Sequence, residues 1–125
     1  MSKNYKLYLE DILDSINAIN SYTKNLTYED FSSDRKTYSA TIRELEIIGE
    51  AVGKLPDEIR NQHPDVEWRD IKGMRNLLIH EYFGVDLEIV WKVVKNDIPA
   101  LEQTVQSISK QENKNDMTTD SSDFQ

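Results

Sequence analysis

The fold of this chain can first be read in the stretch YKLYLEDILDSINAINSY, from Tyr5 to Tyr22. Its apolar residues recur at spacings of three and four, which places them along one side of an α-helix of about five turns. They are Tyr5, Tyr8, Leu9, Ile12, Leu13, Ile16 and Ile19. A helix with one apolar stripe must bury that stripe against another element, so this segment predicts one member of a helical bundle.

The helical periodicity continues after this segment. Thr27 and Asp30 match a capping box for a short turn through Phe31. A second long helix is expected from about Asp34 to Leu55. Its predicted buried face consists of Tyr38, Ile42, Leu45, Ile48, Val52 and Leu55.

Proline and glycine mark the next boundaries. Pro56 suits the first position of a brief helix through Arg60, which His63-Pro64 then ends. A third major helix is expected from about Trp68 to Tyr82, with Gly84 as its C-terminal cap.

The last long helix is predicted to begin at an Asp86 cap. Pro99 should kink this helix or remove one of its backbone hydrogen bonds. Its apolar positions are Leu87, Val90, Trp91, Val94, Ile98, Leu101, Val105 and Ile108.

These segments predict an all-α fold, a bundle of four main antiparallel helices plus short connecting helices. Residues 1–109 are expected to form one domain. From Lys110 the sequence has no apolar period, and residues 110–125 are predicted to be a disordered polar tail.

Composition narrows the classes of function. The chain has 125 residues and no cysteine, which excludes disulfide frameworks, thiolate zinc sites and cysteine nucleophiles. It has no apolar signal segment and no stretch that approaches a membrane span, so we expect a cytoplasmic protein with no membrane partner. The formal net charge is -8, of which -3 lies beyond Gln111. The body therefore carries about -5, which argues against a general nucleic-acid coat protein.

Three local patterns have ordinary explanations. GEAVGKL, from Gly49 to Leu55, fails as a phosphate-binding loop because three residues separate its glycines and Leu55 stands where Ser or Thr is required. We predict close helix packing at its glycines instead. Neither histidine has a glutamate three residues before it, so a di-iron bundle and other metal sites are not expected. His63 is predicted to be a solvated loop histidine.

The segment GMRNLLIHEYFGVD, from Gly73 to Asp86, has an arginine, an asparagine, a histidine and a tyrosine embedded in a mostly apolar predicted helix. They are Arg75, Asn76, His80 and Tyr82. At about 100° per residue, Arg75 and Tyr82 share a face, and Asn76 and His80 lie one turn apart on a neighbouring face. Buried polar groups must be paired or serve a purpose. Taken alone, the pattern also fits a structural network with Arg75 bound to Asp70 or Glu81.

This segment resembles the HepT-like family of the HEPN superfamily. The family signature is Arg-x4-His-x-Tyr with a polar residue after the arginine, and residues 75–82 read RNLLIHEY. Four further stretches are similar to the family in the expected order, and the likeness spans about residues 5 to 105. They are EDIL near the start, RELEIIGEA from Arg43, WRDIKGM from Trp68 and FGVDLEIVW from Phe83.

The resemblance implies a HEPN-type bundle and a homodimer whose two motifs line a shared cleft, where RNA is cleaved without a metal or cofactor. In that role His80 moves a proton to or from the ribose and its leaving oxygen, because an imidazole changes its charge near neutral pH. Arg75 holds the phosphate and stabilises developing charge, and Asn76 orients the imidazole or the phosphate. Only RNA carries the internal 2′-hydroxyl that this chemistry needs.

The resemblance also implies a partner. In HepT-type toxins of type VII toxin–antitoxin systems, a nucleotidyltransferase antitoxin adenylylates the tyrosine of the motif, here Tyr82. The RNA substrate is tRNA by the same analogy. Two alternatives stay open: a non-catalytic HEPN binding subunit of a nucleotidyltransferase complex, which the acidic body favours, and a purely structural dimeric bundle.

Overall fold

The computed structural model describes residues 5–71 and 85–123, and the side chains of these residues as far as Glu112. The regular elements in these ranges are all helical, which confirms the predicted all-α, HEPN-type bundle. They are α1 (Tyr5–Thr23), α2 (Tyr28–Ser33), α3 (Arg35–Gly53), α4 (Asp57–Asn61), α5 (Leu87–Lys92), a π-helical turn (Val93–Asp97) and α6 (Ile98–Asp123). Residues 68–71 are also helical where the first described range ends.

Helices α1 and α3 form the centre of the bundle and run antiparallel. Near the end of α1, the Tyr22 hydroxyl donates to Glu44, 3.3 Å away. Near its start, the Tyr8 ring has the Lys54 ammonium 5.5 Å from its centroid, just beyond the end of α3. Most residues of the two predicted apolar faces, one on each helix, are buried. The exceptions are Tyr8, Leu13, Tyr38 and Ile42, which are only partly buried. The buried apolar residues are Tyr5, Leu9, Ile12, Ile16, Ile19, Leu45, Ile48, Ala51 and Val52.

The connection from α1 to α3 is set by local backbone chemistry. Asn25 has a φ of 61°, a left-handed conformation that asparagine tolerates better than most residues. The predicted capping box is confirmed, because Thr27 and Asp30 each accept a backbone hydrogen bond from the other at 3.1 Å. Helix α2 then continues past Phe31, whose fully buried ring anchors it to the core.

The short helix α4 begins one residue later than predicted. Pro56 has an extended backbone, with φ -60° and ψ 145°, and is the N-cap rather than the first helical residue. The helix ends at Asn61, before the His63-Pro64 pair that was predicted to stop it.

The last helix accommodates Pro99 through a π-helical turn. The Ile98 N–H donates to the Val93 carbonyl, five residues back instead of four. A proline has no N–H, and its ring crowds the carbonyl four residues before it, which here is that of Lys95. The wider turn over residues 93–97 is consistent with relief of that crowding. The predicted perturbation at Pro99 therefore takes the form of a π turn.

Helix α6 is described as far as Asp123. A helix that is already nucleated adds each further residue at little cost, so a continuation beyond Lys110 needs no apolar period of its own. The division into a domain of residues 1–109 and a polar tail of residues 110–125 stays a prediction.

Tyr5 joins the start of α1 to Glu112 of α6. Its side chain is buried, and its hydroxyl hydrogen-bonds to Glu112. Burial, and then this bond and the charge of the carboxylate, raise the pKa of Tyr5 to about 12. The continuous run of α5, the π-helical turn and α6 is therefore antiparallel to α1, since Trp91 lies near Tyr28 of α2 and Glu112 lies beside Tyr5.

This pKa predicts a loss of stability in alkali. The folded-state pKa lies above the ordinary value of 10.0, so the contribution of neutral Tyr5 is complete below pH 10 and is lost as the pH rises to about 12. We expect wild type to lose stability relative to Tyr5→Phe across that window, measured by urea unfolding of both proteins. In a Glu112→Gln background, the loss of unfolding free energy relative to Tyr5→Phe across this window should be smaller. If the unfolding free energies of wild type and Tyr5→Phe change equally with pH through this window, the raised pKa does not belong to Tyr5.

Candidate functional site

The four predicted site residues, Arg75, Asn76, His80 and Tyr82, lie outside the described residues, as do most of the predicted third helix and Gly84. The structure instead describes the two ends of the segment that carries them. Residue 71 and residue 85 are the last and first described positions on either side.

The entry to this segment is anchored in the core. The Trp68 indole is buried, and its Nε1 donates to the carbonyl of His63 at 2.8 Å. Val66 and Ile71 are also buried on either side of it. The helix begins at residue 68, as the sequence predicted, and its first turn is held by apolar contacts and one side-chain hydrogen bond.

The exit is fixed by the predicted cap. Asp86 accepts a hydrogen bond from the Glu88 N–H through its side chain, 2.9 Å long, and α5 follows at once. Val85 packs against the core and Val90 is fully buried within it. The candidate site is therefore carried between two well-anchored points of the bundle.

Carboxylates surround the start of the site-bearing segment. Burial raises the pKa of Asp97, and the negative charges of Asp70 and Glu67 raise it further. Asp97 belongs to the π-helical turn, so this turn lies near residues 67–70, just before the segment that carries the predicted site. A polyanion that approaches on this flank meets like charge.

His63 differs from its prediction. It is half-buried rather than fully solvated, and it lines a cleft of about 290 Å³ together with Tyr5, Glu58 and Glu112. The apolar periodicity of single helices carries no information on this cleft, because its walls come from α1, α4 and α6.

The glycines of GEAVGKL lie inside α3, where Gly49 is buried. This location agrees with the predicted packing role and not with a loop that would hold phosphate. Among residues 5–71 and 85–112, no three His, Asp or Glu side chains come together in a way that could hold a metal ion. In the described part of the chain, no helix combines the length and apolarity needed to cross a membrane.

The comparison with protein families decides the identity. The family model described as "Ribonuclease HepT-like" matches residues 12–108, most of the chain. This chain belongs to the HepT-like ribonuclease family. The matched range includes the whole segment between the two anchored ends and therefore all four predicted site residues.

Curated relatives agree with this membership. A "Probable ribonuclease HepT" of Thermococcus cleftensis is 46% identical over 110 residues, which are 88% of this chain and all of that protein. A "Putative RNase" of Caldanaerobacter subterraneus subsp. tengcongensis is 44% identical over 88% of this chain and 98% of its own length. The chain also matches 52% of a longer Methanocaldococcus jannaschii protein, whose name joins a gamma-glutamylcyclotransferase to an RNase, at 44% identity over 92% of this chain. No solved structure matches the chain.

In this HepT-like protein, the sequence predictions missed an aromatic and basic group on α5 and the π turn. The Lys95 ammonium lies 4.6 Å from the centroid of the Trp91 ring, and Trp91 in turn packs on Phe31 of α2. A spacing of four residues on a helix signals contact between Trp91 and Lys95. Only the tertiary structure brings α2 beneath them.

Proposed function

We propose that this HepT-like protein is a metal-independent RNA endonuclease that acts in the cytoplasm as the toxin of a type VII toxin–antitoxin system. The observation that supports the proposal most directly is the family match over residues 12–108, within which the sequence carries the intact set Arg75-x4-His80-x-Tyr82. The names of curated relatives as ribonucleases support the same activity.

The proposed reaction is an internal transesterification. His80 takes the proton of a ribose 2′-hydroxyl, and the 2′-oxygen attacks the adjacent phosphorus. The bond from phosphorus to the 5′-oxygen breaks, and that oxygen receives the proton that the imidazolium returns as it leaves. Arg75 binds the phosphate and stabilises its extra negative charge, and Asn76 orients the imidazole or the phosphate. The products are a 2′,3′-cyclic phosphate and a free 5′-hydroxyl.

The spacing of the two catalytic candidates favours a homodimer. On one helix Arg75 and His80 are separated by roughly 140° around the axis and about 7.5 Å along it. Side chains so placed do not converge easily on one phosphate. A site completed across a two-fold axis removes this difficulty, for example with His80 of one subunit near Arg75 of the other.

The test of the proposal is cleavage of total tRNA, the substrate that we favour, by the purified chain. We expect cleavage to persist in excess EDTA, and an oligonucleotide with a single 2′-deoxy position to resist cutting at that position alone. Mass spectrometry should find the cyclic phosphate. Cleavage that stops in EDTA and returns with a divalent cation would contradict the mechanism.

The proposed partner is a cognate nucleotidyltransferase antitoxin. The Tyr82 oxygen attacks the α-phosphorus of ATP, pyrophosphate leaves, and an adenylyl group remains on the tyrosine. On the predicted helix Tyr82 would share a face with Arg75, so the added negative phosphate and its bulk would compete with RNA for the same guanidinium.

A second function has one observation in its favour. A net charge of -8 suits a non-catalytic HEPN binding subunit of a nucleotidyltransferase complex better than it suits an RNA-binding enzyme. That alternative predicts a chain that binds ATP or the nucleotidyltransferase and leaves tRNA and messenger RNA intact.

A further inference from the structure

We propose that Tyr28, Trp91, Lys92 and Lys95 form a surface that binds a single-stranded part of the RNA, away from the bond that is cut. We call these four residues the aromatic–lysine surface. The inference rests on the proposed ribonuclease function and adds to it the place where the substrate strand is held.

The aromatic rings of this surface are held rigidly from below. The Trp91 ring packs on that of Phe31 at 4.9 Å between centroids, and Tyr28 meets Trp91 edge-on at 6.3 Å. Phe31 is fully buried, whereas Tyr28 and Trp91 are half-exposed. Half-exposed rings that are fixed by a core can stack with nucleobases, and a base that stacks on Trp91 would take the place of the Lys95 ammonium over the ring.

The surface has two exposed lysines, Lys92 and Lys95. Lys95 lies over the Trp91 ring, and Lys92 is exposed one turn earlier on the same helix. Within the described residues neither lysine forms an ion pair. Exposed ammonium groups beside aromatic rings are the combination with which proteins hold single-stranded nucleic acid.

The charge of the neighbouring flank favours this surface as the place where RNA is held. Asp97, two residues after Lys95, lies on the other side with Asp70 and Glu67 and makes that flank acidic. The aromatic–lysine surface is also close in the chain to the site-bearing segment, because Trp91 is about 7.5 Å along the helix from the Asp86 cap. In an acidic protein, a local basic surface of this kind is needed to hold a polyanion.

A second lysine and ring pair supplies a matched control. Lys54, just beyond the end of α3, lies 5.5 Å from the centroid of the Tyr8 ring on α1. Its charge is compensated by Glu50, whose carboxylate is 3.8 Å away. Replacing Lys54 with glutamine removes the same charge and the same type of ring contact at a place that we do not expect RNA to occupy.

The experiment measures binding of a short single-stranded 2′-O-methyl RNA, which has no free 2′-hydroxyl and is not cut. We expect Lys95→Gln to weaken binding severalfold and to reduce the slope of log affinity against log salt by about 0.7, the loss of one phosphate contact on a single strand. Lys54→Gln should leave both quantities at the wild-type values. Thermal unfolding of both variants checks that each is folded.

A second measurement reports on stacking directly. The chain has two tryptophans, and Trp68 is buried, so quenching of tryptophan fluorescence by the oligonucleotide should come from Trp91. Trp91→Phe keeps an aromatic ring against Phe31 and should abolish the quenching.

The outcomes separate this inference from the proposed function. If wild type cuts tRNA and binds the oligonucleotide, but Lys95→Gln behaves as Lys54→Gln does and quenching survives in Trp91→Phe, the aromatic–lysine surface is not an RNA site. If wild type neither cuts nor binds RNA, the ribonuclease function fails, and this inference fails with it.

Discussion

His80→Ala is expected to abolish RNA cleavage, with a loss on the order of 10²- to 10⁴-fold in rate. The imidazole moves a proton at the ribose or at the leaving oxygen, and alanine has no group that can replace it. Arg75→Ala should cost about 10²- to 10³-fold, because the phosphate then develops charge without its guanidinium. Arg75→Lys should restore little, since an ammonium group lacks the two-pronged geometry. Cleavage of tRNA under single-turnover conditions measures both losses.

The chain contains a matched control for this experiment. His63 is the other of its two histidines, half-buried in a cleft that is not part of the proposed site, and His63→Ala should cut RNA as wild type does. When each protein is expressed in cells, the variants that cleave RNA more slowly should also inhibit growth less. A folded His80→Ala protein that cuts as fast as wild type would remove His80 from the mechanism.

Tyr82→Phe is expected to keep the toxicity of the protein but to abolish its neutralisation by the antitoxin. The variant keeps the ring but has no hydroxyl to attack ATP, so it should cut RNA at close to the wild-type rate and take up no adenylyl group from the antitoxin. Intact-mass spectrometry after incubation with ATP and the nucleotidyltransferase measures the modification. Co-expression of the antitoxin should rescue growth with wild type and fail to rescue it with Tyr82→Phe.

The control for this result is another tyrosine with an accessible hydroxyl. Tyr22 is 38% exposed and its hydroxyl donates only to Glu44, so Tyr22→Phe should still be modified once. Adenylylation that persists in Tyr82→Phe would place the modified residue elsewhere. Rescue of growth without any modification would instead indicate that the antitoxin acts by binding alone.

Local sequence signals predicted where several of the described helices begin. The apolar stripe from Tyr5 to Ile19 marked α1, the Thr27 and Asp30 pair marked the start of α2, and Asp86 marked the start of α5. Each of these signals involves residues within one or a few turns of one another. The helix starts that they mark can therefore be predicted from neighbouring residues alone.

The candidate site was predicted in a different way. The polar residues of segment 73–86 were compatible with both a structural network and a catalytic site, and the resemblance to the HepT-like family favoured the second. The family match confirms the membership. The roles of Arg75, His80 and Tyr82 stay predictions, and the substitutions above test them.

The sequence by itself determined the all-α class, the starts of α1, α2 and α5, and the family, because caps, apolar periods and motif spacing are properties of neighbouring residues. Only the tertiary structure decided which separate helices share a surface. It placed Glu112 on Tyr5, Asp97 beside Asp70, and Phe31 beneath Trp91. These contacts join residues from different helices, and their partners depend on how the helices pack, which no local pattern specifies.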